Sequence, residues 1–189
     1  MVITYKGKNS FQIQQGDFSI VSNPSSNRFK ADIILKTTFC PKDFNNFQIN
    51  PNEFFSPGEY EVSGVHFNGF QIGNSSDKEI KTAFIINLDD AKLVFLDQFS
   101  DDKDLSPETS EEISQADILF LKEANENILK IIKKLEPKAV IFGIDSPKDL
   151  EKISVNLNKH LKAEEKLTIK KKDLENLSKE IYILKSSND

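Results

Sequence analysis

Tryptophan is absent from this chain, and cysteine occurs once, at Cys40. A single thiol excludes an intrachain disulfide framework and is compatible with a reducing compartment. Histidine occurs twice, at His66 and His160, so no cluster of imidazoles is available to hold a metal. No apolar run approaches the roughly 20 residues of a spanning helix. The N-terminal MVITYKGKNSFQI has neither the continuous apolar core nor the small-residue cleavage site of a signal peptide. A cytoplasmic protein without a membrane partner is expected. Excess positive charge is also missing: the net charge is −5 and the pI about 5.2. General binding to nucleic acid or to anionic membranes needs a basic footprint and is therefore not expected.

What the chain does have is phenylalanine, fifteen of them, which must carry most of the aromatic packing. A length of 189 residues suits one domain, expected over residues 1–185, with 186–189 as a frayed tail. The first half reads as short strands. Val2 to Tyr5, Phe11 to Gln14 and Phe18 to Ser22 are separated by Gly7 and by Gly16-Asp17. Further strands are expected at Glu53 to Ser56, Tyr60 to Val62 and Val65 to Ile72, with turns at Pro57-Gly58 and Ser63-Gly64. Lys81 to Asn87 and Lys92 to Leu96 form a hairpin across Leu88-Asp89-Asp90-Ala91.

The second half alternates. Ser106-Pro107-Glu108 opens a short helix in the order cap, proline, acid. Ala116 to Leu121 and Ala139 to Ile144 are buried strands, and Asn127 to Leu135 is an amphipathic helix between them. Ser146-Pro147-Lys148-Asp149 starts a third helix with stripe Leu150, Ile153, Leu157 and Leu161. Lys166 to Ile169 and Ile181 to Leu184 add closing strands around a short turn or helix. Hairpin strands followed by strand–helix repeats make a mixed α/β (α+β) domain of two packed sheets with helices outside.

One stretch stands apart. Ile33, Ile34 and Leu35 are a buried strand, and the chain then enters a polar loop, Thr37 to Asp43. Loops at the ends of buried strands often carry chemistry. This one has Cys40, Lys42 and Asp43 but no imidazole.

In this order the segments resemble the metallo-β-lactamase fold, in its lactonase-like, Zn-dependent hydrolase branch. SPGEYEVSGVHFNGF is similar to the branch's Gly-Pro-Gly-Glu-Tyr-Glu-Val signature. ITYKGKNSFQI, IVSNP, ADIILKTT, KLVFLD, ADILFL and LEPKAVIFG resemble its other strands and turns. The resemblance implies an αββα sandwich of minimal size, two mixed sheets flanked by helices, with the metal site at one edge between the loops. It also implies ligand positions, which a His-x-His-x-Asp-His loop would fill. Here they fall on Thr38, Cys40, Lys42 and Asp43. The remaining positions fall on Lys8, Asn23, Gln98 and Ile144, and Gln71-Ile72-Gly73-Asn74 lacks the further histidine.

A hydrolytic zinc ion needs three or four nitrogen, sulfur or carboxylate ligands, and its charge is what activates the bound water. Thr38 is a poor ligand, and Lys42 puts positive charge where the cation belongs. The expected protein is therefore metal-free and catalytically inactive. It would act by binding, as an assembly partner of an active paralogue, a homo-oligomer, a scaffold or a small-ligand module. The alternative is a divergent hydrolase of lactones or phosphoesters with a non-histidine site. Its candidate residues are Cys40, Asp43, Asp97 and Asp145. The three aspartates follow core strands, where converging carboxylates would suit Mg²⁺ or Ca²⁺. His66 reads as an ordinary strand residue and His160 as a cation at a helix C-terminus.

Overall fold

The computed structural model describes residues 1–26, 29–41, 50–73, 79–96, 99 and 101–186. The chain begins with β1 (Val2–Tyr5), β2 (Phe11–Gln15), β3 (Phe18–Ser22) and β4 (Ile33–Leu35). Next come β5 (Thr38–Phe39), β6 (Glu53–Phe54), β7 (Gly58–Val62), β8 (Val65–Gln71), β9 (Ile80–Leu88) and β10 (Ala91–Phe95). The alternating half is α1 (Pro107–Ile113), β11 (Ile118–Leu121), α2 (Glu126–Leu135), β12 (Ala139–Ile144) and α3 (Pro147–Leu157). It closes with β13 (Ala163–Glu164), β14 (Lys166–Thr168), α4 (Lys171–Leu174) and β15 (Glu180–Lys185).

These strands build two mixed sheets. The smaller has the order β14-β1-β2-β3-β4-β6. The larger runs β13-β15-β12-β11-β10-β9-β8-β7, with β5 attached to β9. Strands β10, β11, β12 and β15 are mutually parallel, so their carboxyl ends share one edge of the sandwich.

The turns follow from residues that tolerate left-handed backbone. Ser63 and Gly64 have φ 52° and 80°, and Asp89 and Asp90 have φ 50° and 66°. Two consecutive positive φ values are what a tight two-residue hairpin of matching twist requires. Two helix starts are capped as the sequence leads one to expect: Ser106 Oγ accepts from Thr109 N, and Ser146 pairs with Asp149 in a capping box. The helix expected from Asn127 begins at Glu126, capped by Asn125, whose Oδ1 accepts from Ile128 N.

Two cores result. Ile3, Phe11, Ile13 and Leu35 of the smaller sheet face Phe67, Phe84, Phe95 and Phe120 of the larger one. On the other side of the larger sheet, Ala83, Ile85, Leu119 and Phe142 pack against Ile113, Ile128, Ile131 and Ile153 from α1, α2 and α3. Its central strands are apolar on both faces because both faces are covered. A tie between the sheets comes from Tyr60. Its ring lies 4.9 Å from Phe54 of the smaller sheet and 5.2 Å from Phe67, and its hydroxyl donates to Ser56 O at 2.8 Å.

Two expectations change. The third helix ends at Leu157 rather than reaching Leu161. Asn158 turns left-handed at φ 49°, and the amides of Asn158 and Lys159 return to Ser154 O. His160 therefore lies beyond the helix and is exposed. The loop after β4 is also partly a strand. Thr38 pairs with Lys81 and Phe39 with Ile80, because burying Phe39 against Phe55, ring to ring at 4.3 Å, carries the chain across to the larger sheet. Among the described residues no helix is long and apolar enough to cross a membrane.

Phe120 is fully buried and stacks on Phe95 at 4.5 Å and against Phe11 at 5.1 Å. Phe120→Ala should lower stability by about 3–5 kcal/mol, read as a shift of the urea unfolding midpoint.

Candidate functional site at the edge of the sandwich

A cavity of about 510 Å³ opens beyond the carboxyl ends of β11 and β12. Crevices at that end of parallel strands are where such sheets place ligands. Lys122, Glu123 and Ala124 follow β11, while Gly143 and Asp145 come from the end of β12. Asp149, Lys152 and Ile153 come from α3. The smaller sheet contributes Tyr5, Lys8 and Asn9 from β1 and its turn into β2, and Asn23 from just after β3. Both sheets thus meet around the opening.

Tyr5 organises the wall. It is 3% exposed, and its ring lies so close to Gly143 that a Cβ there would sit 2.1 Å from a ring carbon. Its hydroxyl accepts from Asn9 N at 2.8 Å and donates to Asp145 Oδ1 at 3.1 Å. The same carboxylate oxygen accepts from Lys8 N at 3.0 Å. These bonds hold a turn in which Gly7, Lys8 and Asn9 have φ 83°, 50° and 66°. Left-handed backbone at the two non-glycine positions costs about 1–2 kcal/mol each, which the surrounding bonds must offset. Burial pushes the Tyr5 phenol well above the ordinary tyrosine range. The Asn9 amide opposes this, and the charge of Asp145 adds to it.

Asn23 is spent in a similar way. Its Oδ1 accepts from Thr37 N and from Thr37 Oγ1, both at 3.0 Å, and its Nδ2 reaches Asn9 O at 3.4 Å. It joins the β1–β2 turn to the exit of β4. The carboxylate of Asp149 is occupied as a cap, accepting from Ser146 N, Ser146 Oγ and Asp145 N.

The residues singled out from sequence are therefore placed as follows. Asp145 lines the cavity, bound to Tyr5 and Lys8. Lys8 and Asn23 line it as well. Ile144 is 5% exposed and belongs to the apolar core behind the larger sheet. Thr38 lies in β5, and its Oγ1 is buried with no hydrogen-bond partner among the described residues. Cys40 is a half-buried free thiol. Lys42, Asp43, Asp97 and Gln98 lie outside the described residues. His66 is exposed on β8, 3.6 Å from Glu61. His160 lines a separate, larger depression near α3.

Tyr5, Asn9, Lys122, Glu123 and Lys152 escaped the sequence reading. Lys122-Glu123 was the legible pair, because two charged residues directly follow the buried run Ile118 to Leu121. Tyr5 reads as one more alternating strand residue, and its hydroxyl finds its partner 140 positions away.

With this geometry in view, comparison with known proteins gives a family. The chain belongs to the β-lactamase superfamily: the model of the "Beta-lactamase superfamily domain" matches residues 2–142. Solved structures narrow this to the metallo-β-lactamase fold. A candidate Zn-dependent hydrolase of that superfamily from Thermotoga maritima superposes with a TM-score of 0.71 at 18% identity, covering 98% of this chain and 99% of that one. A metallo-β-lactamase-fold protein from Bacillus subtilis gives 0.59 at 12% identity, covering 99% and 97%. A metallo hydrolase from the archaeon Ignicoccus hospitalis gives 0.55 at 15%, covering 89% and 99%. At these identities the likeness concerns the fold. No curated protein matches the chain.

Zinc is the metal that this family implies, and the described residues do not fit it. Among them no three of His, Cys, Asp and Glu come together as a metal-holding group. Of the ligand positions that are described, Ile144 is an apolar core residue and Asn23 is committed to Thr37.

Tyr5 supplies a test of this wall. Because its phenol is raised in the fold, the unfolded chain releases that proton first once the pH passes the ordinary value of 10.0. The contribution of Tyr5 should be fully present and independent of pH below that value and be lost progressively above it. Tyr5→Phe should remove this part of the alkaline loss. At neutral pH it should cost about 1–2 kcal/mol by leaving the Asn9 amide without its acceptor. Urea unfolding at pH 7 and above pH 10 checks both.

Proposed function

We propose that this chain is a member of the metallo-β-lactamase superfamily that has given up zinc-dependent hydrolysis and works as a metal-free binding or assembly module. The observation that carries the reading is the use made of the ligand positions. Ile144 fills the core behind the larger sheet, and Asn23 is bound to Thr37 and to the β1–β2 turn. A side chain that completes the fold in this way is not free to take a metal. The loop residues Thr38, Cys40 and Lys42 support the same reading by their chemistry, since a hydroxyl, a lone thiol and an ammonium do not make a hydrolytic site. Without the ion, no group at the edge among the described residues has the charge to lower the pKa of a bound water to near neutrality.

Asp145 accepts from Tyr5 and from Lys8 N through one oxygen. Such a carboxylate acts as an anchor for the turn above the cavity. What remains is a scaffold with an open edge, suited to holding a ligand or a partner, an active paralogue among them.

The chain purified without chelator should contain far less than one zinc per molecule by elemental analysis. It should not turn over lactones, phosphodiesters or thioesters above a metal-free blank. Stoichiometric, tightly held zinc would overturn the reading, and so would turnover that survives replacement of neither Cys40 nor Asp97.

A further inference from the structure

The ends of the two sheets are unequal. Strands β6 and β13 have two residues each and β14 has three, whereas β7 ends the larger sheet with five. Short end strands keep a sheet from pairing with other chains. The edge at β7 is not shortened in this way. Its register runs unbroken from Gly58–Gly69 to Val62–Val65, with no bulge and no internal proline to turn it aside. Val62 and Val65 flank the tight turn Ser63-Gly64, so they exchange both backbone hydrogen bonds, and the exchange recurs at Tyr60 and Gly58. The backbone N–H and C=O groups of Glu59 and Glu61 therefore point away from the sheet. The phase of β14 follows from its end. The Met1 ammonium donates to Ile169 O at 2.7 Å, and Ile169 N donates to Met1 O at 3.0 Å. Leu167 then bonds toward β1, and the backbone groups of Lys166 and Thr168 point outward. Among the described residues nothing bonds those outward groups on either strand.

The side chains on these two edges are complementary. Glu59 and Glu61 are exposed on β7, and Lys166 and Thr168 are exposed on β14. Glu61 lies 3.6 Å from His66 Nδ1, and Glu59 and Lys166 make no ion pair among the described residues. The alternate residues, Tyr60 and Val62 on β7 and Leu167 on β14, face the core between the sheets. We propose that β7 of one molecule pairs antiparallel with β14 of a second copy, Glu61 opposite Lys166 and Glu59 opposite Thr168. Each of these pairs exchanges both backbone bonds, and Leu167 falls beside Tyr60 at the core. The register is selective. A shift one way needs Lys170 N, which already donates to Asp173 Oδ2 at 3.0 Å. A shift the other way sets Glu61 against Glu164. Pairing of β7 with itself would set Glu59 and Glu61 against the same carboxylates of the other copy, so the acids select a basic strand. Because the contact joins two different edges, it is heterologous and adds copies head to tail. It goes beyond the reading of the crevice and does not depend on whether the crevice holds a metal.

Sedimentation velocity of the intact chain, from micromolar to near-millimolar concentration, tests the pairing. At low salt the mass should rise past that of a dimer, and about 1 M salt should weaken the association at least about tenfold. Glu61→Lys and Lys166→Glu change exposed side chains and should leave the circular dichroism as it is. Each variant alone should associate at least about tenfold more weakly. An equimolar mixture of the two should associate again, because each introduced charge then meets its opposite. Association should also slow hydrogen exchange at the amides of Glu59, Glu61, Lys166 and Thr168. A chain that stays monomeric throughout overturns the inference, including one that instead takes up a lysine-rich extended peptide at β7. So does assembly that stops at a dimer, a mixture no better than the single variants, or unchanged exchange at those amides.

Discussion

Strands β9 to β12 send apolar side chains to both sides of the larger sheet, Phe84 and Ile86 toward the smaller sheet and Ala83 and Ile85 toward the helices. Everything else is arranged to keep water from those two faces. The smaller sheet covers one of them with Ile3, Phe11, Ile13 and Leu35, and α1 to α3 cover the other. Because the parallel strands β10, β11, β12 and β15 run together, their carboxyl ends emerge at one edge. The residues just after β11 and β12 are then forced to share that edge with the turns of the smaller sheet. A sandwich of this kind produces a crevice there whether or not the crevice holds a metal.

Tyr5 is where the two layers are joined at the crevice. Its ring uses the space that Gly143 leaves, and its hydroxyl connects the Asn9 amide to Asp145. One buried side chain from the first strand therefore determines how the Gly7–Asn9 turn sits against the end of β12. The contact is demanding on both sides, since a single methyl group at Gly143 would collide with the ring. It also gives one oxygen of Asp145 a structural task, accepting from Tyr5 and from Lys8 N.

Strand-rich first half, alternating second half, capped helices and the family resemblance were all readable from residues. They were readable because burial imposes periodicity and because caps and turns use specific residue types. Two local features were not. The two-residue strand Thr38–Phe39 depends on Phe39 finding Phe55 and on Lys81 lying alongside, neither of which is local in the chain. The end of α3 depends on Asn158 turning left-handed while Leu161, one helical turn further on, still packs toward the core. An apolar stripe continues across that break and so reads as a longer helix.

The sequence by itself determined what chemistry the chain can offer: two histidines, one thiol, and lysine or threonine where the family resemblance places metal ligands. Residue identities suffice for that, because a missing imidazole cannot be supplied by folding. Only the tertiary structure decided which polar groups meet. Tyr5 and Asp145 lie 140 positions apart in the chain, and Lys122 faces the same cavity as Lys8 although they belong to different sheets. Such meetings are set by strand order and by the direction in which each sheet presents its ends, and those are properties of the whole sandwich.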